Sequence, residues 1–321
     1  MLIRKIVTQQ QVGFLNIHCG GVGLAAGREF SERYKADNRP FPTVMVSIDT
    51  DPLTADYVDQ TIHIGFDAAK VDALKSDPER FGPEVAIICQ HFDKYLNAED
   101  ATNGSRTVRC LTQAAFNFHE DDIGLGLRGA IHQLVNDNRV QAIIPVIISS
   151  TGGGAGSALQ ILLLLKFLEG KFRHKLTQGF GPDLLQTPIS FACDPYALAH
   201  KHPTRHANNI LANSFAFRLE SESIERRQGS KYIIHIGMAN SKGTVLSDEQ
   251  LIARVLGTSV YEFEQCWPEI KPRLVDRTDV AALGKGYLGQ DLPENRLSRW
   301  LRSGNSSPSD NGHKQQNGAT S

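Results

Sequence analysis

Long apolar runs, an excess of charge of one sign and a regular spacing of cysteines are all missing from this sequence of 321 residues. The longest apolar stretch, Ala158 to Leu168, is interrupted by Gln160 and Lys166 and is too short to span a bilayer. The 34 basic and 35 acidic side chains leave a formal charge of -1, so no overall charge favours a nucleic acid or a membrane surface as a partner. We therefore expect local sites to carry the function.

The five cysteines are widely separated and odd in number, and no CxxC pair occurs. This pattern favours reduced thiols over a disulfide framework or a zinc site. The N-terminal segment has too short an apolar run, and no cleavage pattern of small residues, for a signal peptide. The sequence thus predicts a cytoplasmic protein without direct membrane insertion and without a nucleic-acid partner.

Short β-rich runs alternate with amphipathic segments along the chain, which is typical of parallel strands joined by crossover helices. We expect an α/β fold, a doubly wound and mostly parallel sheet with helices on both faces. The predicted strands are Gly13–His18, Thr43–Ile48, Glu84–Gln90, Ala142–Ser149, Pro188–Cys193 and Lys231–Gly237. The predicted helices are Val22–Lys35, Arg106–His119, Leu125–Asn136, Ala155–Leu168, Arg205–Arg227 and Asp248–Cys266, the last with Ser247 as N-cap and Gln250 completing a capping box.

Composition changes after the last predicted helix. Pro268 and Pro272 end the helical pattern, and a mixed segment runs to about Leu301. From Ser303 onward the chain has no large apolar residue and is rich in Ser, Asn, Gln and Gly, so it cannot bury enough surface to fold. We expect one α/β domain over residues 1–267, a short extension over 268–302 and a disordered tail over 303–321.

The loops after the strands are the informative ones, because sheets of this kind bind ligands at the carboxyl ends of their strands. The first strand leads into the turn Gly20-Gly21-Val22-Gly23, which opens a helix and lets backbone N–H groups approach an anion. A tight packing turn between strand and helix explains the same glycines. The second strand leads to Asp49 and Asp51, which either contact a ribose or a magnesium ion or begin a solvated turn before Pro52.

Two further loops offer groups to an anion. Gly104, Ser105 and Arg106 supply a backbone N–H, a hydroxyl and a guanidinium, although an ordinary N-capping turn has the same residues. The segment Ser149 to Ser157, "SSTGGGAGS", lies between an apolar strand and an apolar helix, which argues against a flexible spacer.

This second glycine loop is not a P-loop, because no lysine follows it until Lys166. Phosphates here must be held by backbone N–H groups and hydroxyls. A dinucleotide fingerprint uses one glycine turn, so two such turns favour a triphosphate held from two sides.

These loops resemble those of the tubulin/FtsZ superfamily of GTP-binding filament proteins. "STGGGAGSA" is similar to the family's signature, usually written GGGTG[ST]G, and "HCGGVG" is similar to its first glycine loop. "IDTDPLTADYVDQTIHIG" resembles the segment that begins Asn-Thr-Asp and ends in Ile-x-Ile-Gly. The resemblance covers roughly residues 13 to 280 and implies a GTP-binding domain over 1–267, with GTP or GDP and Mg2+ as cofactors.

The resemblance also implies roles for individual residues around the phosphates. The first loop, Gly20, Gly21, Val22 and Gly23, meets the α- and β-phosphates. The second loop, Gly152, Gly153, Gly154, Ala155, Gly156 and Ser157, wraps the β- and γ-phosphates. The γ-phosphate side is completed by Asp49, Asp51, Gly104, Ser105 and Arg106, with Asp51 beside the magnesium ion.

The nucleoside end of the implied site comes from the later strands. Asp194 or Arg205 contacts the ribose, by resemblance to the family's ribose loop. Asn240 occupies the place of an asparagine that reads guanine, and its amide can act as donor and acceptor. A turn residue in "ANSKG" is the alternative for Asn240.

Hydrolysis in this superfamily uses acidic residues that follow the central helix of one subunit and reach the nucleotide of the next. The segment "KPRLVDRTDVAALG" is similar to that catalytic loop and nominates Asp276 and Asp279, with Leu274 in place of the family's asparagine. A solvated acidic loop is the alternative. Only about Gly284 to Leu301 remains as ordered chain where tubulins and FtsZ carry a second α/β domain.

Three functions are therefore considered. The first is a GTPase that forms GDP and phosphate at a subunit interface, with itself as partner in a head-to-tail polymer and with the tail recruiting an unidentified protein. The second is a non-polymerising GTP-binding switch or scaffold with little hydrolysis. The third is an NAD(P)-binding oxidoreductase that uses the first glycine turn alone. For His200, His202 and His206 we favour surface positions over a metal site.

Overall fold

The chain folds around one parallel sheet. The computed structural model describes residues 11–39, 41–52, 55–92, 104–105, 108–181, 183–194, 199, 204–229, 232–237, 248–267 and 286–287. The strands are β1 (Val12–Cys19), β2 (Thr43–Asp49), β3 (Gln60–His63), β4 (Ala142–Ser150), β5 (Ile189–Cys193), β6 (Ile233–Gly237) and β7 (Gly286–Tyr287). Their order in the sheet is β3-β2-β1-β4-β5-β6-β7, and every neighbouring pair is parallel.

Helices cover both faces of this sheet. They are α1 (Gly20–Ala36), α2 (Ala68–Ser76), α3 (Pro83–Phe92), α4 (Arg109–Phe118), α5 (Glu120–Asn138), α6 (Gly154–Leu168), α7 (Gly170–Leu176), α8 (Thr204–Gln228) and α9 (Glu249–Gln265), with a 3-10 turn at Pro78–Phe81. None of the helices in the described part of the chain is long and apolar enough to cross a membrane.

Successive side chains of each strand point to opposite faces of the sheet, and this produces one apolar core on each face. Leu15 and Ile17 of β1 face one core, which α4, α5, α6 and α8 cover, while Phe14 faces the other core, beneath α1 and α9. All nine residues of β4 are buried, which explains why its sequence is a nearly continuous apolar run instead of an alternating one. The predicted doubly wound, parallel α/β fold is confirmed.

The predicted strand Glu84–Gln90 is wrong, because this segment lies within α3. A short apolar run does not by itself distinguish a strand from a buried helix. Pro83 stands at the first helical position, where proline's missing N–H costs nothing. Val85 and Ile88 are buried while Ile87 is 55% exposed, which is the spacing of a one-sided helix.

Two further differences concern a strand and a cap. The edge strand β3 was not predicted, and it arises from the segment "QTIH", whose register with β2 is set by pairs such as Ile48 with Ile62. The N-cap of α9 is Asp248, whose Oδ1 accepts hydrogen bonds from the N–H groups of Gln250 at 2.8 Å and Leu251 at 3.0 Å. A carboxylate suits this position because it also interacts favourably with the helix dipole. Ser247 lies outside the described residues.

The C-terminal part of the chain is described only at Gly286–Tyr287, which pairs with the end of β6. The remainder of the predicted extension 268–302 and the whole predicted tail 303–321 lie outside the described residues.

The closest approach of α1 and α9 depends on Gly257. A Cβ at this position would overlap the carbonyl oxygen of Ala26 and lie 3.0 Å from the backbone nitrogen of Phe30. Gly257→Ala should therefore force the helices apart and lower the free energy of unfolding by about 2 kcal/mol, as overpacked cores typically do. Urea unfolding measures this change. Gly170→Ala is the control, since a Cβ there would meet no described atom within 4 Å, and equal effects of the two substitutions would contradict the prediction.

Candidate functional site

Four strand ends meet at the carboxyl edge of the sheet. The register aligns Cys19 of β1 with Ile48 of β2, and Ser150 of β4 with Cys193 of β5. Because all strands run in the same direction, the loops that follow them lie side by side at this edge.

The two glycine loops are in backbone contact. A Cβ at Gly20 would lie 2.7 Å from the nitrogen of Gly156, and a Cβ at Gly156 would lie 2.9 Å from the carbonyl oxygen of Cys19. Gly20 also has a φ of 68°, a left-handed conformation that side chains disfavour. A Cβ at Gly23 would overlap the carbonyl oxygen of Ile148. The glycines therefore allow the start of α1 to pack directly on β4 and on the start of α6.

The N-termini of these two helices lack side-chain caps. The N-cap residues are Cys19 for α1 and Gly153 for α6; neither makes a capping side-chain hydrogen bond, and neither first turn contains an acidic residue. Among the described helices, α4 and α7 also lack a side-chain cap, whereas Asp67 caps α2 and Asp248 caps α9; what sets α1 and α6 apart is that their N-termini are in contact. Uncapped N–H groups at the positive end of a helix dipole form a ready binding site for an anion.

Space remains beside both helix starts. A Cβ at Gly21 would meet no described atom within 4 Å, and one at Gly153 would approach only the nitrogen of Gly156, at 3.9 Å. The predicted residues Val22, Gly154 and Ala155 lie in the first turns of the same two helices. The side chain of Ser157 is buried, and its hydroxyl donates to the carbonyl oxygen of Gly153 within α6.

The predicted acidic pair lies beside the first glycine loop. Asp49 is buried, and its Oδ1 accepts hydrogen bonds from the N–H groups of Thr50 at 2.7 Å and Asp51 at 3.3 Å. The pKa of Asp49 is raised to about 6, chiefly because burial disfavours its charged form; the Asp51 charge adds to the rise, while the two N–H groups oppose it.

Asp51 and Gly104, two of the residues predicted for the γ-phosphate side, are neighbours in the structure. Gly104 has a φ of 77°, and a Cβ there would overlap the carboxylate of Asp51. The N–H of Ser105 donates to Thr50 Oγ1 at 2.9 Å, which fixes the two loops to each other. Thr50 was missed by the sequence reasoning, although its place between two acidic residues at a strand end was the available signal.

Helices behind the second glycine loop hold its backbone. Asn213 Nδ2 donates to the carbonyl oxygen of Gly152 at 2.9 Å, and the hydroxyls of Thr151 and Ser214 lie 2.9 Å apart. Arg109 Nη2 donates to the carbonyl oxygen of Ser157 at 3.4 Å and to Glu220 at 2.5 Å. No sequence signal marked these α4 and α8 residues, because each lies inside an ordinary amphipathic helix.

The predicted nucleoside-end and catalytic residues are only partly described. Asp194 directly follows β5, and its Oδ2 accepts a hydrogen bond from Arg218 Nη2 at 2.7 Å. Arg205 lies in the first turn of α8. Arg106, Asn240, Asp276, Asp279, His200 and His202 lie outside the described residues, whereas His206 lies in α8.

Neither thiol chemistry nor a preformed metal cluster is supported at this edge. Burial raises the pKa of Cys19 well above its usual range and that of Cys193 to about 12, so both thiols stay protonated and are poor nucleophiles. Within the described ranges, no three His, Cys, Asp or Glu side chains come together as a metal site. What the edge does offer is backbone N–H groups, open space and two carboxylates.

Comparisons with known proteins were made for the whole chain. No protein-family model matches it, and no curated protein matches it. Among solved structures, CetZ2 from Haloferax volcanii in a GTPγS-bound protofilament is similar with a TM-score of 0.48 and 12% identity, over 82% of this chain and 63% of that one. A GTPγS-form protofilament of TubZ from Bacillus thuringiensis serovar israelensis has a TM-score of 0.39 and 12% identity, over 79% and 56%. The chain spans less than two thirds of either protein, and likeness at this level carries no conclusion about function.

The raised pKa of Asp49 predicts a pH-dependent cost to stability. Between about pH 4 and pH 6 the unfolded chain loses this proton while the folded chain keeps it, so stability falls as the pH rises through this window. Asp49→Asn keeps the hydrogen-bond acceptor and removes the titration. Its free energy of unfolding should therefore gain on the wild type by about 2 kcal/mol between pH 4 and pH 7, since one pKa unit corresponds to about 1.4 kcal/mol and the unfolded chain is already more than half ionised at pH 4.

Urea unfolding over this pH range, without nucleotide or magnesium, measures the difference between the two proteins. A difference that does not change with pH would contradict a raised pKa for Asp49.

Proposed function

We propose that this chain is a nucleotide-binding protein and, within that class, a GTP-binding protein of the tubulin/FtsZ type. The observation that carries the proposal is the contact between Gly20 and Gly156, which brings two uncapped helix N-termini to one place. Two sets of N–H groups and two positive dipole ends suit a chain of phosphates better than a single anion. The resemblance of three loops to tubulin/FtsZ motifs supports guanosine triphosphate as the ligand.

The residues present fit such a ligand. The open space beside Gly21 and Gly153 is where a phosphate approaches the backbone, with Gly20 and Gly23 on the α- and β-phosphate side and Gly152, Gly154, Ala155 and Gly156 on the β- and γ-phosphate side. Asp51 holds the Mg2+ that the nucleotide brings, because carboxylate oxygens are the ligands this ion prefers. Gly104 positions the Asp51 carboxylate, and Ser105 fixes that loop through Thr50.

The nucleoside end of the proposed site uses Asp194, whose carboxylate is oriented by a hydrogen bond from Arg218. In this proposal the carboxylate accepts a hydrogen bond from a ribose hydroxyl. Arg205 is the second ribose candidate, Arg106 supports the γ-phosphate, and Asn240 reads the base. In this proposal residues 1–267 form the GTP-binding domain, 268–302 an extension that carries the catalytic loop, and 303–321 a tail that recruits another cytoplasmic protein.

Hydrolysis to GDP and phosphate is proposed to occur between subunits. Asp276 and Asp279 of one copy would position water at the nucleotide of the next, so assembly and turnover are linked. A non-polymerising GTP-binding switch is the outcome if those residues never reach a nucleotide.

A dinucleotide-binding oxidoreductase is the second candidate from a different class. The strand order β3-β2-β1-β4-β5-β6 is also that of dinucleotide-binding sheets, and Asp49 ends β2, where those proteins bind the ribose with an acidic residue. Against it, the loop after β4 contacts the first glycine turn directly, and a single-turn fingerprint has no use for that second loop.

Ligand-induced stabilisation separates these candidates. With each ligand plus Mg2+, GTP and GDP should raise the melting temperature and ATP and NAD should not. A ligand at a hundredfold excess over its Kd adds about 2.7 kcal/mol to stability, which corresponds to roughly 5 °C or more for a chain of this size. A shift with NAD alone would remove the proposal in favour of the oxidoreductase.

Gly21→Val should abolish the GTP shift without unfolding the protein. The new side chain meets no described atom and fills the space assigned to a phosphate, and valine is no worse than glycine in a helix. Gly170→Val is the matched control, because it is equally open and lies at the start of α7. An undiminished GTP shift in Gly21→Val would place the nucleotide elsewhere.

Turnover of GTP per subunit should rise with protein concentration, because the proposed site is completed by a second copy. Asp276→Ala and Asp279→Ala should still sediment with GTP but should hydrolyse it about a hundredfold more slowly, as expected when a water-positioning group is lost. Asp72→Ala, on the exposed side of α2, is the control. Turnover that is independent of concentration argues against a shared site, and tight GTP binding by a monomer without turnover indicates the switch.

A further inference from the structure

A large groove opens among the helices that cover the Leu15 and Ile17 face of the sheet, and the residues of the glycine loops do not line it. It lies among α3, α4, α6 and α8 and has a volume of about 910 Å³. This is at the upper end of the roughly 300–1,000 Å³ typical of sites that bind small molecules or a few side chains. None of the predicted phosphate-loop residues is among the described residues that line it.

Apolar side chains form much of the groove wall. Ile88 is buried at its base, while Ile87 and Leu165 remain 55% and 37% exposed at its rim. Together with the apolar wall they form a contiguous exposed patch, and such patches mark interaction sites. The groove therefore fits an occupant with an apolar face.

The charged residues of the groove are predominantly acidic. Glu120, Glu169 and Glu220 line it together with Lys166 and Arg109. Lys166 is shared between Glu120 at 3.0 Å and Glu169 at 3.6 Å, and Arg109 is paired with Glu220 at 2.5 Å. Three carboxylates thus share two cations, so the rim favours an occupant that brings positive charge.

One segment of this chain has the matching chemistry. In "ENRLSRWLR", Glu294 to Arg302, the residues Leu297, Trp300 and Leu301 have the i, i+3, i+4 spacing of one helical face. Arg296, Arg299 and Arg302 flank that face with three positive charges. A basic amphipathic segment against an apolar groove with an acidic rim follows the helix-in-groove mode of peptide recognition.

The segment follows β7 closely in the chain. Tyr287, the last described residue, lies in β7 beside β6, and α8 connects β5 to β6 and forms one wall of the groove. The residues between Tyr287 and Glu294 can extend over about 20 Å, whereas a helix with its side chains is only about 10 Å across.

We propose that residues 294–302 dock in the groove among α3, α4, α6 and α8 of the same chain, with Trp300 covering Ile87 and Leu165. The docked segment would close the groove behind the second glycine loop, whose carbonyl groups at Gly152 and Ser157 are held by the groove residues Asn213 and Arg109.

Trp300 itself reports on docking. The chain has two tryptophans, so Trp267→Phe leaves Trp300 as the only one, in an otherwise full-length protein. Its emission should be blue-shifted, and its quenching by acrylamide should be several-fold weaker than in the urea-unfolded chain and independent of protein concentration. Emission and quenching equal to those of the unfolded chain would overturn the proposal, and so would protection that appears only at high protein concentration.

A matched pair of lysine substitutions tests the location. Ile87→Lys puts a cation at the groove rim and should release Trp300, restoring red-shifted emission and several-fold stronger quenching. Leu251→Lys changes an exposed leucine, 38%, on α9, which covers the opposite face of the sheet, and should leave both signals unchanged. Both sites are exposed, so neither substitution threatens folding, and circular dichroism verifies this. Release by Leu251→Lys but not by Ile87→Lys would also overturn the proposal.

Discussion

The parallel pairing of β1 with β4 is the constraint on which the candidate site depends. Its register, from Val12 opposite Ala142 to His18 opposite Ile148, fixes the level at which both strands end. The first residues of α1 and α6 are then forced together, and only glycine at positions 20 and 156 gives them room. A shift of one residue in this pairing would move the apolar side chains of β4 to the wrong faces and separate the two loops.

The rest of the structure maintains that geometry from both faces. On one face, α4 and α8 hold the backbone of the second loop through Arg109 and Asn213. On the other, α1 and α9 pack over the sheet, and both His18 of β1 and Glu264 of α9 are buried in this layer. Burial lowers the pKa of His18 to about 3, so this imidazole is neutral near pH 7, and burial raises the pKa of Glu264 well above its usual range. His18 therefore adds no charge beneath the site, and the local field comes from the helix ends, from Asp49 at the end of β2 and from Asp51 in the loop that follows it.

Local sequence patterns were sufficient to predict much of the fold. Apolar runs flanked by turn residues located β1, β2, β4, β5 and β6 to within about two residues. The same signal failed at α3, where an apolar run of similar length packs one face only, and at β3, where "QTIH" has too few apolar residues to stand out. In both segments the outcome depends on the element that the segment packs on, which local sequence does not record.

The candidate site likewise contains residues that could be predicted from the sequence and residues that could not. Glycines and acidic residues after strand ends could be predicted, because a parallel sheet gathers these positions whatever their spacing in the chain. The contact of Asp51 with Gly104 and the bond of Ser105 to Thr50 do not follow from this rule, because the segment before Gly104 is helix α3 and not the expected strand. Arg109 and Asn213 could not be found this way, since their role comes from how α4 and α8 are rotated against α6, a property of tertiary packing.

The two glycine loops belong to strands that are far apart in the chain but adjacent in space, and this has a consequence for the protein as it is made. During synthesis, β1 and its glycine turn leave the ribosome long before β4 and α6 exist. A nascent chain that stops short of α6 has one helix N-terminus and no surface for Gly20 to pack against. The contact between the two loops therefore forms late, once α6 has emerged and β4 has paired with β1.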